Sequence, residues 1–243
     1  MKTVWTHSGQ FHLDELMAIA VYEEFGGICT VVRQDTPTPH DIAIDIGGIY
    51  DGVVNFDHHQ DSRLPSACVL IGRDLIPSDI WKYLEKMFMH ISDCDCGREG
   101  ISPGSFNGVI RSFNILKGGF EKALMVTRMV LAAHIASAKK AIADVERWNK
   151  LERRYRIAVQ DSREVILNWK SLASRDGIYF LVCPNSRGEG YHLITRDLVT
   201  ISIPKEETQT FRHNSGFMAS YPTKDDAIAH GKKLIKQKET PCV

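Results

Sequence analysis

The sequence has no excess of charge of either sign. Thirty Lys and Arg balance thirty Asp and Glu among 243 residues. A broad basic surface for duplex nucleic acid is therefore excluded, though a local basic groove is compatible with the balance. No apolar run reaches the roughly 18–20 residues that a membrane helix needs, so no membrane partner is expected. The chain enters Thr3-Val4-Trp5 without a signal-peptide core, and the expected location is the cytoplasm. Cysteine is sparse and scattered at Cys29, Cys68, Cys94, Cys96, Cys183 and Cys242, with no CxxC pair. That argues against a zinc finger or a disulfide framework and for reduced thiols. There is no internal repeat and no low-complexity segment. The remainder, 43% hydrophobic and 25% charged, is ordinary for a soluble globular protein with one large domain or two modest ones.

Three polar clusters, each following an apolar run, stand out in the first quarter. They are Thr6-His7-Ser8-Gly9-Gln10-Phe11-His12-Leu13-Asp14-Glu15, then Asp45-Ile46-Gly47-Gly48, then Asp57-His58-His59-Gln60. The runs before them read as strands at Thr3–Thr6, Ile42–Ile46 and Val53–Phe56, with a further strand at Ile28–Arg33. A helix over Asp14–Phe25 is ended by Gly26-Gly27. This order predicts an α/β layer with a largely parallel sheet. In such sheets ligands bind beyond the carboxyl ends of the strands, where all three clusters would fall.

Downstream the pattern turns helical, over Ser66–Gly72, from a Ser78 cap to about His90, and over Phe106–Leu116. A fourth polar cluster, Ser92-Asp93-Cys94-Asp95-Cys96-Gly97, lies between. Phe120–Gln160 lacks Gly and Pro and reads as a long helix, apolar at first and highly charged at its end. Strands are expected at Val165–Leu167, Tyr179–Cys183, Tyr191–Ile194 and Val199–Ile203. A final helix follows Thr223, with Thr223 and Asp226 at capping-box spacing. The expected organisation is an α/β domain over residues 1–118, a helical connector over 119–160 and a smaller α+β domain over 161–243. An exposed apolar face on the long helix would permit a homodimer.

The clusters offer His7, His12, Asp14, Asp45, Asp57, His58 and His59, a ligand set suited to one or two divalent cations. Two such ions can activate a water and hold a phosphoryl oxygen at once, and they need a bridging carboxylate. Asp45 suits that role because it ends a strand and two glycines leave room beside it.

These residues resemble the DHH phosphoesterase superfamily and, within it, the melanocyte-proliferating-gene (MYG) family. The stretch from Thr6 to Asp14 resembles that family's opening motif. Asp45 to Asp51 and Phe56 to Gln60 resemble its second and third motifs. Asp93-Cys94-Asp95-Cys96-Gly97 is similar to an Asp-x-x-Asp-Asn-Gly element shortened by one residue. Phe211-Arg212-His213-Asn214-Ser215-Gly216-Phe217 resembles a C-terminal element.

The resemblance implies a DHH-type fold with an active site in a cleft between two domains. It implies two Mn²⁺ per chain, with Mg²⁺ or another divalent ion as substitutes, and 3′–5′ exonuclease activity. His7, His12 and Asp45 would hold one ion. Asp14, Asp45, His58 and Asp95 would hold the other, Asp95 being preferred to Asp93 because Gly97 gives a tight turn beside it. Asp57, His59 and Asp45 would be catalytic, with His59 beside the substrate phosphate and Asp57 orienting the histidine pair. His213, Ser215 and Gly216 would grip the substrate. His12 occupies the place of an aspartate usual in DHH proteins, Glu15 stands where a second Asp is common, and Cys96 stands where Asn is expected.

The leading expectation is a Mn²⁺-dependent phosphodiesterase acting on single-stranded RNA or short oligonucleotides through a metal-activated water. Candidate phosphate-binding cations are Arg33, Arg63, Arg111, Lys205 and Arg212. The alternatives are hydrolysis of a small nucleotide, cyclic dinucleotide or pyrophosphate, and a metal-binding regulatory protein without catalysis.

Overall fold

The structure, a computed structural model, describes residues 2–36 and 41–240. Residues up to Lys139 and from Lys140 onward form two compact units. The first is built on a four-stranded sheet of β1 (Lys2–Thr6), β2 (Cys29–Arg33), β3 (Ile42–Ile44) and β4 (Asn55–Phe56), in the order β2-β1-β3-β4. All three pairings are parallel, as the strand–helix–strand reading required. Ile42, Ala43 and Ile44 are all buried, which explains why β3 reads as a continuous apolar run rather than an alternating one.

The crossover from β1 to β2 is α1 (Leu13–Val21), every residue of which is buried, Asp14 and Glu15 included. It continues as one π-helical turn, Tyr22–Gly26. Helix α2 (Ala67–Leu75) packs between α1 and α3 (Ser78–Asp95). Pro77, not Ser78, occupies the cap position of α3. This helix runs past the expected end at His90 because Ile91 and Cys94 extend the buried spacing of Ile80, Leu84 and Phe88 by another turn. The fourth polar cluster is thus mostly the last turn of a helix, not a loop. Helix α4 (Phe106–Ser112) and a short 3₁₀ turn follow.

Helix α5 (Gly119–Asn149) starts in the first unit and ends in the second. The expected run to residue 160 stops at Asn149. There the chain forms β5 (Glu152–Arg154) and β6 (Ile157–Val159), an antiparallel pair turned by Tyr155 and Arg156, whose φ values are 53° and 62°. Ala123, Leu124, Leu131, Ile135 and Ala138 are buried along α5, while Met125 and Met129 are exposed.

The second unit carries a six-stranded mixed sheet in the order β5-β6-β7-β8-β10-β9, with β7 (Phe180–Pro184), β8 (Tyr191–Thr195), β9 (Phe211–Arg212) and β10 (Met218–Tyr221). One face buries Phe180, Val182, Leu193 and Tyr221 against α7 (Lys224–Glu239). The other packs Ala158 and Leu181 with Trp148, Ile166 and Ala173, the last from α6 (Trp169–Arg175). Strands expected at Val165–Leu167 and Val199–Ile203 do not form, although Ile166, Ile201 and Ile203 are buried. Thr223 caps α7 as expected, its Oγ1 accepting from the Asp226 N–H at 3.1 Å. Among the described residues no helix is long and apolar enough to cross a membrane.

Candidate metal centre

Three strand ends build the site. β1 runs into His7, β3 into Asp45 and β4 into Asp57. Because these strands are parallel, their carboxyl ends share one sheet edge. Asp45 is central. Its Oδ2 lies 3.5 Å from His7 Nε2, and its Oδ1 lies 3.4 Å from His58 Nε2 and 3.6 Å from His59 Nδ1. It holds a left-handed backbone, φ 57°, which costs a non-glycine residue energy and persists where the surroundings over-determine it. Gly48, also left-handed at φ 65°, turns its N–H onto Asp57 Oδ2 at 2.6 Å. A side chain there would be strained.

Asp57 organises the histidine pair. Its Oδ1 accepts from the backbone N–H of His58 at 2.7 Å and of His59 at 3.1 Å, and meets His59 Nδ1 at 2.7 Å. Burial opposes its ionisation, but His59 and the Gly48 N–H outweigh that and hold its pKa below the usual carboxylate value.

The start of α1 supplies another wall. His12 stands at the cap position, and its N–H donates to Glu15 Oε2 at 2.8 Å. Glu15 Oε1 is left facing His7 Nε2 at 3.2 Å. Asp95, the last residue of α3, lies with Oδ1 3.4 Å from His12 Nδ1 and Oδ2 3.3 Å from His58 Nε2. His7, His12, Asp45, His58, His59, Asp95 and Cys96 line one cavity of about 460 Å³.

The carboxylates push the imidazoles towards their charged form. Asp45, then Asp95, raises His58 to about 11; Asp95 raises His12 to about 9; Glu15 raises His7. Burial opposes ionisation of Asp95, yet His12 and His58 hold it well below the usual range. Asp45 Oδ1, Glu15 Oε1 and His58 Nε2 are buried without a hydrogen-bond partner. Buried polar atoms are ordinarily satisfied, yet Asp45 Oδ1 and His58 Nε2 face each other and Glu15 Oε1 faces His7 Nε2. Divalent cations would satisfy such atoms, and a carboxylate–imidazole set suits a borderline ion. The ligand atoms of His7, His12, Glu15 and Asp45 lie within 4.8 Å of one another, as do those of Asp45, Asp57, His58 and His59, and those of His58, Asp95 and Cys96.

Of the residues expected here, His7, His12, Asp45, Asp57, His58, His59 and Asp95 come together. Asp93 instead pairs with Arg98 at 3.1 Å. Asp14 is close enough for its charge to act on His58, but its hydrogen bonds go to the start of α2. Its carboxylate accepts from the Ser66 hydroxyl, the Ala67 N–H at 3.1 Å and the Cys68 N–H at 2.9 Å. Burial, with the charges of Asp95 and Asp45, pushes its pKa up to about 8. Glu15 takes the position facing His7. Its signal in the sequence was its spacing three residues after His12, the Glu of a capping box.

His213, Ser215 and Gly216 lie in the second unit, in the turn joining β9 to β10. His213 Nδ1 is 2.9 Å from Ser215 Oγ, and the Gly216 N–H donates to the His213 carbonyl at 2.8 Å. His213 lines a cavity of about 580 Å³ there, together with Trp169, Phe211, Phe217, Arg163 and Arg187. Among the candidate cations, Arg63 pairs with Asp61, Arg33 stacks against Phe11 and Phe120, and Arg111 lines a small cavity with His12 and Asp95.

Fold and cluster together define a class: an α/β protein with a carboxylate–imidazole cluster, a candidate cation site, at the carboxyl edge of a parallel sheet. Residues 3–65 match the MYG1_exonuc family model, described as the uncharacterised protein family UPF0160. An MYG1 protein of Schizosaccharomyces pombe is 44% identical over 156 residues, covering 51% of this chain and 45% of that protein. An MYG1 protein of Saccharomyces cerevisiae is 43% identical over 95 residues, covering 31% of this chain and 28% of that protein. The N-terminal part of the chain is therefore similar to MYG-family sequence, the resemblance its motifs suggested. The chain spans less than half the length of these curated relatives. A pGpG-specific phosphodiesterase from Vibrio cholerae aligns over 98% of this chain and 99% of its own at a TM-score of 0.37 and 12% identity, a likeness too slight to carry an argument.

Proposed function

We propose that the chain is a divalent-cation-dependent phosphodiesterase, with Mn²⁺ as the working ion and single-stranded RNA or short oligonucleotides degraded 3′ to 5′ as substrate. The observation that carries the reading is the pair of orphaned buried atoms, Asp45 Oδ1 and His58 Nε2, in the cavity lined by His7, His12, His59 and Asp95, with the orphaned Glu15 Oε1 behind His7. His7, His12, Glu15 and Asp45 would hold one cation, and Asp45, His58 and Asp95 a second, with Glu15 taking the role expected of Asp14. When bound, such ions supply Lewis acidity to a phosphoryl group and lower the pKa of water.

The chain's own groups supply orientation. Asp57 engages His59 Nδ1, so Nε2 is the nitrogen available to a substrate phosphate. Asp57 also pins the backbone of both histidines. The name of the matching family model speaks for exonuclease chemistry. In the second unit, the aromatic rings and arginines around His213 suit an unstacked base and its phosphate. Neutral net charge suits a single strand better than a long duplex.

The test is hydrolysis of labelled RNA, DNA and dinucleotides with Mn²⁺, comparing wild type with Asp45→Asn and His58→Ala. Both variants are expected to be inactive. Unchanged rates would remove the activity from this site. Chain-length dependence separates exonuclease action from hydrolysis of small nucleotides.

A further inference from the structure

His58 has two ring nitrogens with different neighbours. Nε2 is buried, has no hydrogen-bond partner, and lies 3.4 Å from Asp45 Oδ1 and 3.3 Å from Asp95 Oδ2. Nδ1 lies 3.9 Å from Cys96 Sγ. An imidazole can offer a lone pair at Nε2 only when its proton is on Nδ1, and that proton needs an acceptor. Cys96 is well held for the task. It caps the C-terminus of α3, where its N–H donates to the Ser92 carbonyl at 2.8 Å. Its sulfur also lies 3.9 Å from Ser92 Oγ, and that oxygen accepts from the Ser66 N–H at 2.9 Å. The sulfur therefore sits between a buried hydroxyl and the Nδ1 edge of His58, inside the cavity that the cation ligands line.

We propose that Cys96 is a positioning residue for the cation site: its sulfur accepts the Nδ1 proton of His58 and so fixes the tautomer that presents Nε2 to the cation. The inference rests on the reading that this cluster binds a divalent ion. Ligating histidines generally hand their second N–H to such a partner, and losing it typically costs about 10–100-fold in metal affinity. Sulfur is a weak acceptor, so about tenfold, the low end of that range, is expected.

The test is Mn²⁺ affinity of the full chain by titration calorimetry. Cys96→Val keeps the bulk and removes the acceptor; Cys96→Asn supplies a carbonyl oxygen in its place. Cys96→Val is expected to bind Mn²⁺ about tenfold more weakly with an unchanged metal-free melting temperature, and Cys96→Asn to recover most of the loss. Co²⁺-loaded wild type is expected to lack a thiolate-to-cobalt charge-transfer band, since the sulfur touches the imidazole and not the ion. If Cys96→Val folds poorly, Cys96→Asn alone decides, because wild-type-like affinity is required of it. Equal affinity in wild type and Cys96→Val, with Asp45→Asn still abolishing binding, overturns the role of Cys96 and leaves the cation site standing. A thiolate band, or a loss that Cys96→Asn does not restore, also overturns it. Wild type that binds no Mn²⁺ overturns both readings.

Discussion

Asp45 touches His7 through one oxygen and the His58–His59 pair through the other. Asp45→Asn keeps the shape and removes the charge on which both halves of the cluster depend. Its effect on Mn²⁺ affinity should exceed the roughly 10–100-fold that loss of an outer-shell partner costs. Calorimetric affinity within tenfold of wild type would contradict its bridging role. Protons should report the same site. His12 and His58 have folded pKa values raised from 6.5 to about 9 and about 11. In the metal-free protein their contribution to stability is full below pH 6.5, and it is lost as pH rises through those two values. A cation needs the lone pairs those protons occupy, so its affinity runs the other way. Between pH 6.5 and about 9 the metal-free melting temperature should fall while Mn²⁺ affinity rises with proton release. A flat affinity over that range would contradict the assignment. Asp45, Asp57, His58 and His59 were legible in the sequence because each follows a parallel strand, so their convergence is a property of topology. The contact of Glu15 with His7 was not. Adjacent helical residues point about 100° apart, and only the packing of α2 against α1 decides that Asp14 meets the start of α2 while Glu15 meets His7.

Helix α2 owes its N-terminal anchorage to Asp14. A helix start leaves N–H groups without intrahelical partners, and Asp14, in the first turn of α1, meets two of them. Asp14→Ala should destabilise the protein by on the order of 2 kcal/mol, as loss of a buried cap does. Asp14→Asn should leave Mn²⁺ affinity within about tenfold of wild type, above the range expected for a disrupted site. Abolished binding would instead return Asp14 to the ligand set. Helices were read more faithfully than short strands. The hairpin of β5 and β6 was missed because its turn residues, Tyr155 and Arg156, take positive φ without the Gly or Asn that normally signals it. The charged residues of β5 also suit a helix. β9 has two residues, and β10, Met218-Ala219-Ser220-Tyr221, lacks β-branched side chains. The extension of α3 to Asp95 matters more, because it places a candidate cation ligand at a helix end, where the turn at Gly97 begins.

At the scale of the whole molecule, every proposed cation ligand lies before Lys140, although α5 continues into the second unit. A ligand stabilises only the structure that must open to release it. At about 100 times its dissociation constant the gain is about 2.7 kcal/mol. Hydrogen exchange resolves where that gain falls, because units that open separately exchange separately. Mn²⁺ should therefore slow amide exchange in α1, in α2, at the end of α3 and across β1 to β4. It should leave β7, β8, β10 and α7 unchanged, and Asp45→Asn should abolish the difference. A mononucleotide offered with EDTA, so that no cation is bound, should do the converse if the cavity beside His213 takes the base: protection would rise around β8 to β10 and α6 alone. Uniform slowing across both units on Mn²⁺ addition would mean that α5 couples them into one cooperative unit, against the separation into two compact units. Slowing confined to residues after Lys140 would place the ion elsewhere than on Asp45.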